Sequence, residues 1–117
     1  MTLVCLASQK GAPGVTLTAL ALGVSWHGAT RRRAVLLEAD PAGGVLAIRY
    51  RLGLEPGLVT LAAAARAGSP GESGSVWDHA QRLPGGMPAV LAPDGADQVH
   101  AALRAGGDAL GDQRFWR

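Results

Sequence analysis

Lys10 is the only lysine in a chain that carries ten arginines, and it heads a run of small residues, Gly11-Ala12-Pro13-Gly14, followed by Val15 and Thr16. A Gly-rich turn between a strand and the first turn of a helix gathers backbone N–H groups at the positive end of a helix dipole, which suits a phosphate. Small residues let the backbone come close to the anion. A second group with chemical potential is Glu38-Ala39-Asp40-Pro41, where two carboxylates follow an apolar run. Asp40 before Pro41 is also what a simple turn uses. His79 beside Asp78 reads as a polar pair, because no further ligands follow in order for a metal site or a dyad. Arg31-Arg32-Arg33 reads as a solvated turn in preference to a DNA contact. Cys5, the single cysteine, lies in an apolar run and is expected to be a buried, inert thiol.

These residues need elements to place them. Thr2 to Ala7 is a short apolar run that reads as a buried strand ending in the glycine-rich turn. Val15 to about His27 has a broad apolar face of helical type, with Trp26 packing inward and Gly28 near the C-terminus. Ala34 to Leu37 predicts a second strand, stopped at Pro41. The glycine-rich stretch 42–57 predicts a loop with a short helical piece around Val45 to Arg51. Leu58 to Ala67 is a helix by propensity, closed by Gly68, and Ser69 to Ser75 is a connector by composition. Val76 to Leu83 predicts one or two amphipathic turns, with Trp77 covering an edge. Pro88 to Ala92 predicts a third strand, and Gly95 to Leu110 a last helix capped by Asp94. Alternating strands and helices imply an α/β domain with a parallel sheet and flanking helices, in which ligands bind beyond the C-terminal ends of the strands.

Length and composition bound the rest. With 117 residues the chain is expected to be one small domain, 1–117, or part of a larger one. The apolar stretches fall short of the roughly 20 residues that span a membrane, and the N-terminus lacks the basic and cleavage regions of a signal peptide, which predicts a cytoplasmic location. One cysteine rules out an intrachain disulfide framework. The net charge of +2, eleven basic against nine acidic groups, gives DNA binding only weak support.

The stretch from Ser8 to Thr16 resembles the deviant Walker A motif of ParA/MinD-type P-loop ATPases. Lys10 corresponds to the signature lysine, Gly11 and Gly14 to two of the glycines, and Thr16 to the hydroxyl residue, while Gln9 fits the form common in ParA proteins. Glu38-Ala39-Asp40-Pro41 is similar to the acidic motif of the second strand, and Leu91-Ala92-Pro93 faintly similar to a third. The resemblance implies a P-loop NTPase-like α/β fold and ATP held by Gly11, Ala12, Pro13, Gly14, Val15 and Thr16. It further implies Mg²⁺ on Thr16 and Asp40, and Lys10 and Asp40 as catalytic groups, with Lys10 reaching across a nucleotide-dependent homodimer. The implied role is chromosome or plasmid partitioning, or the positioning of cell machinery with an unidentified protein partner.

Two departures shape the expectation. Val15 replaces the motif's second lysine, as in CpaE- and TadZ-type relatives. Losing one charge-assisted hydrogen bond costs roughly 1.5–3 kcal/mol, so binding is expected to outlast hydrolysis. Pro13 removes one N–H from the nest. The family's Walker B strand has no counterpart before Arg117, so the chain is expected to be a truncated product, a fragment or half of an assembly. The alternative is an interaction module of the same fold that no longer binds nucleotide; if the chain is truncated, Phe115-Trp116 is expected to be an exposed, adhesive end.

Overall fold

The computed structural model describes residues 2–9, 13–67 and 75–110. Helix α1 spans Val15–Thr30, strand β1 Leu36–Leu37, helix α2 Leu46–Tyr50 and helix α3 Leu58–Ala67. A 3₁₀ turn at Val76–His79 then leads to strands β2, Gln81–Arg82, and β3, Pro88–Val90, and to helix α4, Ala96–Leu110. The strands form one small sheet in the order β1-β3-β2, parallel between β1 and β3 and antiparallel between β3 and β2.

The β3 segment is the axis of the molecule. Ala89, Val90, Leu91 and Ala92 are all fully buried, and alternate residues point to opposite faces of a strand. Val90 and Ala92 join Leu58, Leu61 and Ala62 of α3, Val76, and Val99 and Ala102 of α4 in one core. Ala89 and Leu91 join Leu46, Ala47 and Leu83 in a second core on the other face. α3 and α4 present apolar residues at helical spacing (58, 61, 62 and 99, 102), so each buries one stripe and leaves the rest to water. Between β2 and β3 the chain reverses through Pro84-Gly85-Gly86. Both glycines have positive φ, 92° and 91°, a region that L side chains avoid.

The helices at α1, α3 and α4 fall where the sequence places them, and the short helical piece after Val45 is α2. The expected parallel sheet with flanking helices of the P-loop type is overturned. The sheet is mixed and has three short strands, and Thr2 to Ser8 joins none of them. Leu3, Val4 and Leu6 are 65%, 52% and 39% exposed, so this run is not the buried strand its apolar character suggested. The physical reason is pairing: a short apolar run becomes a strand only when a neighbour takes its backbone hydrogen bonds. Cys5 is exposed with it. The second predicted strand shortens to Leu36–Leu37, and the polar pair Gln81–Arg82 supplies a strand that no apolar pattern marked. Phe115 and Trp116 lie outside the described residues.

Candidate functional site

Lys10, Gly11 and Ala12 lie outside the described residues. Pro13 and Gly14 form a turn, with Gly14 at φ +105°, and the Thr18 N–H bonds the Gly14 carbonyl at 2.8 Å to open α1. Val15 and Thr16 are its first two residues, both half-buried. Asp40 is exposed, and its Oδ1 accepts from the Ala42 N–H at 2.8 Å while its carbonyl accepts from Gly43 at 3.0 Å. It therefore closes the turn at Pro41 in the way an Asx turn does.

Glu38 has the most connected side chain at this end of the sheet. Its Oε1 accepts from the N–H groups of Val45 (2.7 Å) and Leu46 (3.1 Å), and its Oε2 from Ala92 (3.1 Å). The carboxylate thus joins the end of β1, the start of α2 and the continuation of β3. Gly44 permits this approach, since a Cβ there would strike both the Ala92 carbonyl and the Glu38 carboxylate.

A second polar group was not foreseen. The Thr60 hydroxyl accepts from the Gly57 N–H at 3.0 Å, faces the Gly57 carbonyl at 2.9 Å and lies 2.9 Å from His79 Nδ1. A hydroxyl has one proton, so when it donates to the Gly57 carbonyl the imidazole Nδ1–H donates to it in turn. The group fastens the N-terminus of α3 to the 3₁₀ turn, and His79 pairs with Thr60 where the sequence suggested Asp78. Asp78 instead accepts from the Ser75 N–H at 2.7 Å. The Arg33 guanidinium lies over the Trp77 ring, 4.7 Å from its centroid, so one member of the arginine run rests on an aromatic face.

Two open depressions flank the molecule. One, of about 290 Å³, lies between Ala47, Ile48, Leu52 and Leu54 with Arg51 and Asp94 on its rim; the other, of about 230 Å³, lies between α3 and α4. Neither is lined by Thr16, Asp40 or the Thr60–His79 pair.

A different feature is the exposed apolar surface of α1. Among its described residues α1 has none fully buried, although it is largely apolar and carries no Asp, Glu, Lys or Arg from Val15 to Thr30. Leu17 and Val24 are 65% and 60% exposed, and Leu22, on another side of the helix, is exposed as well. Only one side of the helix is engaged: Leu20 packs on the core beside Leu36, and Gly23 faces the Met87 thioether.

Comparison with known proteins finds no matching family model, no similar curated protein and no similar solved structure. Together with the mixed three-strand sheet, this overturns the ParA/MinD reading, in both its ATPase form and its degenerate form of the same fold. The nucleotide-binding and partitioning roles that came with it are withdrawn. ATP and Mg²⁺ go with them: among the described residues no three His, Cys, Asp or Glu side chains gather to hold a metal ion, and the run before the loop is not part of a sheet. Among the described residues no helix is long and apolar enough to cross a membrane.

Proposed function

We propose that the chain is a protein-docking module whose contact surface is built from α1 and the extended run before it. The observation that carries this reading is the exposure of Leu3, Val4, Leu6, Leu17, Leu22 and Val24 in segments where no charged side chain is described. Apolar surface of this extent is rimmed or covered in working proteins, and its usual meaning is an interaction site. Lone exposed leucines are ordinary, but six exposed aliphatic residues on two consecutive segments with no charged side chain described among them exceed that.

The test is an apolar fluorescent dye in dilute solution, with near-UV circular dichroism of the tryptophans confirming native packing, since a molten state would also bind dye. Wild-type protein is expected to enhance the dye's emission, and the double variant Leu17→Glu/Val24→Glu to lose most of that enhancement while keeping its dichroism. Equal emission from the two natively packed proteins would reject the docking surface.

A further inference from the structure

The exposed side of α1 has an internal pattern that names its occupant. Leu17, Ala21, Val24 and Gly28 follow at spacings of four, three and four residues, so they form one stripe along the helix. All four are exposed. The stripe is rotated by roughly 100° from the packed side that holds Leu20 and Gly23. The helix therefore carries two apolar stripes, one used by its own core and one unused.

We infer that the unused stripe pairs with the same stripe of a second copy of this chain, antiparallel about a two-fold axis at the midpoint of α1. This rests on the docking reading above and specifies the partner. A two-fold contact must be self-complementary. α1 runs from residue 15 to residue 30, so the axis falls between Leu22 and Gly23. The axis then sets Leu17 against Gly28 of the other copy and Ala21 against its Val24. Every large residue meets a small one, the alternation that lets helices interdigitate at close range.

Charge points the same way. α1 has no Asp, Glu, Lys or Arg, so two copies meet without like-charge repulsion and leave no desolvated ion behind. Gly28 supplies an independent sign. A glycine inside a helix costs about 1 kcal/mol relative to alanine, and a Cβ at Gly28 would meet nothing within 4 Å in its own chain. Gly23, by contrast, is accounted for within the chain by Met87. The vacancy at Gly28 is the hole that Leu17 of the second copy fills.

Sedimentation equilibrium on the full chain tests the pairing. The wild-type mass is expected to rise with concentration from 11.9 kDa toward twice that value and no further. Val24→Glu sets two carboxylates close to the axis and is expected to weaken association at least tenfold, with unchanged far-UV dichroism because the residue is exposed in the single chain. Ile48→Glu, at a residue 68% exposed on another surface, is expected to leave the dimer intact. In a Cys5→Ser background, mixing Leu17→Cys with Gly28→Cys protein is expected to give a mixed crosslink with a short bis-maleimide, in preference to either self-crosslink.

A protein that stays at 11.9 kDa at all concentrations overturns the pairing. If that protein also shows the dye response of α1, the docking surface stands and only the second copy is rejected. Association unaffected by Val24→Glu, or abolished equally by Ile48→Glu, also overturns it. Preferential Leu17→Cys self-crosslinking would show a parallel contact and reject the antiparallel one.

Discussion

Glu38 shows how much one side chain can hold together in a small domain. Its two oxygens take three backbone N–H groups, and two of these belong to Leu46 and Ala92, which are buried. Removing the carboxylate leaves those donors without a partner, and an unsatisfied buried donor costs about 1–3 kcal/mol. Glu38→Ala is therefore expected to lower the urea-unfolding free energy by about 2–4 kcal/mol, with Glu38→Gln recovering roughly half, since the amide keeps one acceptor oxygen. A loss below about 0.5 kcal/mol, the usual size for a surface change, would show that water replaces the carboxylate at no cost. This role was invisible in the sequence because the partners lie 7, 8 and 54 residues further on. Asp40 was legible as a turn former, since Asp before Pro signals a turn locally. The Thr60–His79 contact was not legible, for it crosses 19 residues and depends on how α3 meets the 3₁₀ turn.

At the scale of elements, what could be read was what is decided locally. α3 and α4 carry strong propensity and an apolar stripe, and their ends fall within a residue of expectation. Strands are decided by pairing: Thr2 to Ala7 has the composition of a strand and no strand partner among the described residues, whereas Gln81–Arg82 has a polar composition and becomes one because the turn at Gly85 and Gly86 folds it onto β3. α2 shows a third case, a five-residue helix held by its ends. Glu38 accepts from its start, and its close is a Schellman motif. In that motif the Leu52 N–H bonds Ala47 and the Arg51 N–H bonds Ile48, while Ala47 and Leu52 share the core. Arg51 sits at φ +54°, where a side chain costs about 1–2 kcal/mol and glycine does not. Arg51→Gly is accordingly expected to raise the midpoint of urea unfolding, by up to about 1 kcal/mol once the greater freedom of glycine in the unfolded chain is subtracted. A lowered midpoint would mean that the arginine side chain makes a contact worth more than this strain.

At the scale of the whole molecule, stability is uneven, and the unevenness bears on how the chain works. α3, α4 and β3 share a continuous core, while α1 packs through Leu20 and against the Met87 side chain, is no more than half-buried at Val15, Thr16, Ala19 and Trp26, and has no fully buried residue among those described. Local opening follows the density of buried contacts, so α1 is the element that should open first in an isolated chain. Pairing with a second copy would remove that weakness, because binding only to the folded helix stabilises it by mass action. In dilute solution the amides of α1 are expected to exchange with deuterium at least tenfold faster than those of α3 and α4. Raising the protein concentration into the range where mass doubles is expected to slow α1 selectively and leave α3 unchanged, and Val24→Glu is expected to abolish that concentration dependence. If α1 were as protected as α3 in dilute protein, its contacts within one chain would suffice and the exposed stripe would have no work to do. The fold then has a division of labour: the α3–α4 core keeps the domain folded, and the weakly held α1 remains available for contact.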